Sequence, residues 1–322
     1  MCKPKISVVM PVYQVEQYIG SAVRAICEQS YQDFELILVD DGTKDNSITV
    51  AKNILEQYQN IKYKIIKKSN GGLSSARNAG ITAANGEWVI CIDSDDTIHP
   101  NTLELLSKCI ANDVDVVTFS YKYVDEPPVH YKNINNPNCY TYFSSEVAKK
   151  FFARNIKLIV PALMIKKEIF ERNNLYYDEE CKFSEDQLFT WQLLLSVNKI
   201  VYIDEEMYYY LVRENSIMTS SSVDKILTGY NKMLSLDQSI SGTTKWDKFN
   251  INAHLILPRW VFGTLHTSAK LMDYTTFCML EEKINLNGKI NPLIEFNDMR
   301  IKGLILIRKI SKKLFYNILR NI

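Results

Sequence analysis

Trp88-Val89-Ile90-Cys91-Ile92-Asp93-Ser94-Asp95-Asp96 runs five mainly apolar residues straight into a cluster of three carboxylates. A short apolar run closed by turn residues reads as a buried strand. In an open parallel sheet, ligands bind beyond the carboxyl ends of the strands. Carboxylates this close repel one another unless a cation or a ligand's donors compensate them. Oxygen ligands of this kind suit Mg²⁺ or Mn²⁺, held through one or two carboxylates together with substrate phosphates. The same residues also fit a plain acidic loop in which Asp96 or Thr97 caps a helix near Pro100. The spacing of the acids alone does not separate the two readings.

Upstream, strands and helices alternate. Ile6-Ser7-Val8-Val9-Met10 is a β-branched run stopped by Pro11, and Val15, Ile19, Ala22, Val23 and Ile26 recur at helical spacing. Phe34 to Val39 is a second strand ending in Asp40-Asp41-Gly42-Thr43; Asp45-Asn46-Ser47 then offers caps for a helix through Gln57. Ile61 to Ile66 predicts a third strand. Asn70-Gly71-Gly72-Leu73-Ser74 is a turn into a helix from Ser75 to Ala84, and the acid-tipped strand is fourth. A helix after Pro100 leads to a fifth strand, Val114 to Phe119. This rhythm predicts a doubly wound, mostly parallel sheet flanked by helices. Right-handed crossovers put the carboxyl ends on one rim. Pro11-Val12-Tyr13, Asp40-Asp41, the Asn70 turn and the Asp93 cluster then line one crevice. Helix capping explains each segment separately but not their shared location.

The composition agrees with a large globular chain. Its 322 residues are 46% hydrophobic and 23% charged, and a net charge of +1 sets up no field favouring nucleic acid. Seven cysteines without a Cys-x-x-Cys pair suit a reduced, cytoplasmic protein, and four scattered histidines show no metal spacing. No apolar signal region opens the chain, and no run reaches the ~18 residues of a spanning helix. A soluble protein, or one lying on the inner membrane surface, is expected.

Past Asp125 the rhythm breaks in a Pro- and Asn-rich loop reaching Asn138. Ser144-Ser145-Glu146 predicts a helix start, Leu158 to Ile165 a strand, and Ser184 a cap for the helix opened by Glu185-Asp186. Ile200 to Ile203 and Tyr208 to Val212 read as two strands; beyond Ser222 the pattern is helical. We expect one domain over 1–220, divided at 125, and a helical region over 221–322.

Pro11-Val12-Tyr13, Val39-Asp40-Asp41-Gly42-Thr43-Lys44-Asp45-Asn46-Ser47, Asn70 to Gly80, Asp93-Ser94-Asp95-Asp96 and Glu185-Asp186, in this order, resemble family 2 glycosyltransferases of the GT-A fold. The set covers roughly the first two-thirds of the chain. Gln14 stands where the family often has Asn, and Thr43-Lys44 where Ser-Thr is commoner. The resemblance implies inverting transfer of a sugar from a nucleotide-diphosphate donor, with a UDP-sugar expected, to a glycan or lipid-linked saccharide in bacterial surface polysaccharide synthesis. Asp40 and Asp41 would accept from the uracil or ribose, while Pro11 sets the backbone so that Val12 and Tyr13 face the base. Gly71 and Gly72 would let the chain approach the donor beside Asn70, and Arg77 would reach a phosphate or the base. Asp95 is the expected ligand of Mn²⁺ or Mg²⁺. Asp93 would share the metal or reach the ribose, with Ser94 beside them. Asp96 would orient the donor sugar or cap the next helix. The acceptor hydroxyl must lose a proton, and the resemblance assigns that to Asp186 with Glu185 beside it. The basic segment Arg213-Glu214-Asn215-Ser216 would close over the donor phosphates.

Two rivals share part of this pattern. A nucleotidyltransferase should carry a basic Gly-rich loop after the first strand, and Pro11-Val12-Tyr13 is not one. An inactive binding module would not need both Asp95 and Asp186. At the C-terminus, residues 299–322 carry seven Lys or Arg and no acid. Apolar residues Leu304, Ile307, Ile310, Leu314, Phe315, Ile318 and Leu319 recur among them. That predicts a basic amphipathic helix suited to a membrane surface, or one docked on the protein.

Overall fold

The computed structural model describes residues 4–213, 222–240, 256–284, 290, 293 and 299–322. The chain forms two compact units, Met1–Glu179 with Phe189–Arg213, and Glu180–Leu188 with Glu214–Ile322.

The first unit is built on a nine-stranded sheet. Its elements are β1 (Ile6–Val12), α1 (Ile19–Cys27), β2 (Phe34–Asp40), α2 (Ser47–Leu55), β3 (Lys62–Lys67), α3 (Leu73–Ala83), β4 (Trp88–Cys91), β5 (Thr97–Ile98) and α4 (Thr102–Lys108). They continue with β6 (Val116–Val124), β7 (Cys139–Phe143), α5 (Ser144–Phe152), β8 (Leu163–Lys166), α6 (Lys167–Asn173), α7 (Glu185–Ser196) and β9 (Lys199–Leu211). The helix α7 begins in the second unit. Strand order is β3-β2-β1-β4-β8-β6-β9-β5, with β7 paired on β9. β1 to β4 are parallel neighbours, and β6 and β9 run the same way; β5, β7 and β8 are reversed. The sheet is therefore mostly parallel, as the rhythm predicts. The β8 strand, whose direction no residue pattern reveals, is inserted antiparallel between β4 and β6.

β1 is buried along its whole length, which is why it reads as a continuous apolar run with Ser7 its one polar residue. Ser7 is not orphaned: its hydroxyl donates to Glu35 at 2.7 Å and accepts from the Gly86 N–H at 2.9 Å. α3 lies on β1 and β2 through Gly80, where a Cβ would come within 2.2 Å of Val9 Cγ1. Only a glycine lets the helix sit this close.

Several elements depart from expectation, among them the strand expected from Leu158, which is only β8 because Val160–Ala162 forms a 3-10 turn. α1 starts at Ile19, not Val15; the N–H groups of Gln14, Val15 and Glu16 donate to Thr43, Ser47 and Asp45, which ties this stretch to the loop after β2. The two strands expected around Ile200 and Tyr208 are one strand, β9, whose register against β6 shifts on either side of Ser120. The irregularity skips Asp204, Glu205 and Met207 in the register, at the acidic stretch that broke the apolar pattern. The residues after Asp96 form β5, and α4 opens at Thr102 with Asn101 before it, so Asp96 and Thr97 cap no helix.

The second unit holds α8 (Val223–Ile240), α9 (Ile256–Leu271), α10 (Tyr274–Lys283), α11 (Met299–Ile310) and α12 (Lys312–Asn321). The single basic helix expected at the C-terminus is two helices, broken where the Ser311 hydroxyl caps the Leu314 N–H. Part of its expected stripe is core: Phe315 and Leu319 are buried, and the Tyr316 hydroxyl donates to the Met272 carbonyl at 2.7 Å. Arg308 is not a surface base either, since it forms a buried ion pair with Glu281 at 2.9 Å. Leu306, Ile310 and Leu314 remain exposed.

Candidate active site

Four loops leave the carboxyl ends of β1, β2, β3 and β4 along one rim. The first is Tyr13-Gln14. Val12, expected to face a base, is fully buried in the core, so its contribution at the rim is its carbonyl, which accepts the Asp41 N–H. Pro11 is buried as well, while Tyr13 is exposed. Gln14 sits at φ 53°, in the left-handed region that Asn and Gly tolerate better than Gln. The family's usual Asn at this position thus has a backbone reason.

The second loop begins at Asp40, which accepts the Thr43 N–H at 3.0 Å. Thr43 in turn donates its hydroxyl to Asp45, and Asp45 also accepts from the Ser47 N–H and hydroxyl. A serine at 43 would make the same bonds, so Thr43 costs the motif nothing.

Asp41 turns inward. It is buried, and its oxygens accept the Gly71 N–H at 3.0 Å, the Gly72 N–H at 2.8 Å and the Lys68 ammonium at 2.6 Å. Asp41 therefore builds the third loop. Gly72 lies at φ 88°, and a Cβ on Gly71 would crowd Ser75. Both glycines are dictated by the backbone that Asp41 holds, with Asn70 exposed beside them.

Arg77, on α3, is buried; its Nη2 donates to Asp93 Oδ1 at 2.8 Å and its guanidinium lies 5.3 Å from the centre of the Tyr177 ring. A plain surface charge is thereby excluded. Tyr177 is fixed by Asn78, which exchanges two hydrogen bonds with its backbone at 2.8 and 2.9 Å. No local signal marks Tyr177 in the sequence, because Asn78 and Arg77 lie about a hundred residues away.

Beyond β4, the three acids have separate partners. Asp93 faces Arg77. Asp95 pairs with Arg213, whose guanidinium lies 5.0 Å from the centre of the Tyr18 ring. Asp96 is buried, taking the Tyr208 hydroxyl at 2.5 Å and the Leu211 N–H at 2.8 Å, with buried Ser94 nearby in sequence. Burial, then the charges of Asp95 and Asp93, push the Asp96 carboxyl up to about 8. Burial followed by the Asp93 charge also raises Asp95, with Arg213 pulling the other way.

Among the described residues no three His, Cys, Asp or Glu side chains gather so as to hold a metal ion unaided. Asp93 and Asp95 offer two carboxylates, which is the protein's usual share of a Mg²⁺ site completed by substrate phosphates. Burial and mutual repulsion of these acids are relieved by a bound cation, so the donor set fits one.

Glu185 and Asp186 open α7 in the second unit. Ser184, expected as a cap, lies at φ 57°, and the Gln187 N–H donates to Asp186 at 2.8 Å. Arg213 ends the described part of its segment; Glu214, Asn215 and Ser216 lie outside the described residues.

Comparison with known proteins agrees with this layout. The chain is 31% identical over 223 residues to the uncharacterized glycosyltransferase EpsJ of Bacillus subtilis, covering 66% of this chain and 63% of the relative. It is 31% identical over 230 residues to the glycosyltransferase GlyG of Streptococcus pneumoniae serotype 4, covering 66% of this chain and 72% of GlyG. Its fold is similar to the crystal structure of S. aureus TarS 1–349 in complex with UDP-GlcNAc, with a TM-score of 0.68 at 22% identity over 98% of this chain and 90% of that one. The family model "Glycosyl transferase family 2" matches residues 7–172, just over half of the sequence, and spans the four loops of the rim: the chain belongs to glycosyl transferase family 2.

Proposed function

We propose that the protein transfers a sugar, with inversion, from a nucleotide-diphosphate donor to a saccharide hydroxyl. The observation that carries this reading is the pairing of two carboxylates with two arginines at the rim. Asp93 faces Arg77 and Asp95 faces Arg213, on the same rim as the loop that Asp41 folds. The UDP-GlcNAc bound to TarS supports a UDP-sugar as the donor class. Tyr13 and Asp40 are the rim groups offered to the nucleoside, and Gly71 lets a donor approach the backbone.

Asp93 and Asp95 would hold Mn²⁺ or Mg²⁺ through carboxylate oxygens; when bound, the cation neutralises charge developing on the leaving diphosphate. Arg77 and Arg213 add fixed positive charge beside the same acids. Asp186 serves as the base that takes the acceptor proton, with Glu185 beside it. This rests on the family pattern and on the pair opening a helix. Synthesis of a bacterial surface polysaccharide, on a lipid-linked acceptor, is the setting we infer from the bacterial relatives.

The C-terminal bases support a peripheral membrane contact. Lys309, Lys312 and Lys313 are exposed around Leu306, Ile310 and Leu314, a combination suited to an anionic interface. Among the described residues no helix is long and apolar enough to cross a membrane.

The test is UDP release from UDP-GlcNAc, UDP-glucose and UDP-galactose with Mn²⁺, with and without chelator. Turnover of at least one donor is expected, lost in Asp95→Asn. Asp186→Asn should abolish transfer while UDP binding survives. Normal turnover of Asp186→Asn would remove that residue from the mechanism, and no release from any donor would overturn the transferase reading.

A further inference from the structure

The carboxyl ends of β6 and β9 carry a row of tyrosines that the chemistry above does not use. In their parallel register Tyr121 pairs with Tyr208 and Tyr123 with Tyr210, so all four share one face of the sheet. Tyr208 is fully buried, and its hydroxyl rests on Asp96. Outward from it, the Tyr123 ring stands edge-on to Tyr121, 5.6 Å between centres, and to Tyr210, 5.3 Å between centres. Tyr121 and Tyr210 are half-buried, whereas Tyr123 is 62% exposed. The row thus runs from the acid cluster to solvent. It is tied to that cluster by the same strand end, since the Leu211 N–H holds Asp96 and Arg213 reaches Asp95.

We propose that Tyr121, Tyr123 and Tyr210 form the binding platform for a pyranose ring of the acceptor saccharide. The chemistry of both sides matches. A pyranose has an apolar C–H face edged by hydroxyls, and a tyrosine offers an apolar ring with a polar tip. Burial, then the charges of Asp96, Asp93 and Asp95, push the Tyr210 hydroxyl up to about 12, so at neutral pH it stays protonated and able to donate. Lys157 lies 5.6 Å from the centre of the Tyr121 ring, adding a donor at the platform's border. An acyclic polyol phosphate has no flat C–H face, so the platform selects ring sugars over ribitol chains. The position also fits: the row starts at Asp96, whereas the nucleoside groups Tyr13 and Asp40 stand at the ends of β1 and β2.

This inference rests on the transferase reading, and the experiment separates the two. The full chain, with ¹³C-labelled tyrosine and assignments from Tyr→Phe variants, is titrated in the presence of UDP with methyl β-N-acetylglucosaminide, methyl β-glucoside and ribitol. The Tyr123 and Tyr210 ring signals are expected to move with at least one pyranoside and not with ribitol. Tyr123→Ala should weaken that binding by up to about tenfold, while Tyr123→Phe, which keeps the ring, restores it. UDP affinity and hydrolysis of the donor without acceptor should stay unchanged in both variants. No ring shift with either pyranoside, or an equal shift with ribitol, overturns the platform even while UDP binds. Loss of donor hydrolysis in Tyr123→Ala does so too, by assigning the ring to the donor. Failure of the native chain to bind UDP strikes the transferase reading instead.

Discussion

The Gly72 N–H donates to Asp41 Oδ2 at 2.8 Å, so an acid at the end of one strand folds the loop that leaves the next. Asp41 also takes the Gly71 N–H and the Lys68 ammonium, and is buried with them. The second acid of Asp40-Asp41 thus shapes the glycine loop.

Asp41→Asn tests this. An amide places an N–H₂ donor against at least one of these donors and leaves Lys68 without its counter-charge. We expect a loss of about 1–3 kcal/mol of stability, read as a lower midpoint in urea, together with a raised KM for the donor. A variant that kept native stability and lost donor binding alone would mean that Asp41 contacts the ligand directly.

Gln14→Asn should act in the opposite direction. At φ 53° a glutamine is strained, and Asn adopts this region more readily. The variant is expected to gain up to about 1 kcal/mol, seen as a higher melting temperature with unchanged kcat. Its N–H bond to Thr43 is retained, because it comes from the backbone.

The acid limb of stability should depend on Glu35. Burial alone would raise its carboxyl, but hydrogen bonds from Ser7, the Asn85 N–H and Lys64 outweigh it and hold the group below its ordinary value of 4.5. A lowered folded value stabilises the protein in full above that ordinary value, and the contribution fades as pH falls through the folded value. Chemical unfolding followed from neutral pH downward should show this loss, and Glu35→Gln should flatten that part of the curve while being less stable at neutrality. An unchanged acid limb in the Gln variant would remove Glu35 from the account.

Membrane contact can be tested without disturbing the helical core. Phe315, Tyr316 and Leu319 are buried, so truncation of the terminus would unfold what it touches. Ile310 and Leu314 are exposed, and Ile310→Glu with Leu314→Glu replaces surface only. Cosedimentation with phosphatidylglycerol-containing vesicles should fall sharply in the double variant and in high salt. Equal binding by native and variant chains would end the proposal.

Much of the rim was legible because its signals are local. The Trp88–Ile92 run, the two glycines and the acids each stand next to the strand or helix they belong to, and a strand–helix rhythm dictates that they meet on one edge. Which acid holds the glycine loop was not legible, since Asp40 and Asp41 are chemically identical until the Gly71–Gly72 loop arrives to claim one of them. The same holds for Asp95 and Asp96, whose partners Arg213 and Tyr208 come from a distant segment, while Asp93 finds Arg77 on the helix just before its strand. It holds for the C-terminal stripe as well, where periodicity showed an amphipathic face but not that Arg308 is consumed by Glu281.

The sequence by itself determined the strand–helix order of the first four strands, the edge where their loops gather and the family, because period, turn residues and motif spacing are properties of neighbouring residues. Only the tertiary structure decided that β8 enters reversed, that Asp41 builds the loop, and that Tyr123 and Tyr210 stand in one row beside Asp96. Those facts depend on pairings across long loops, where hydrogen-bond partners and burial are settled by the fold as a whole.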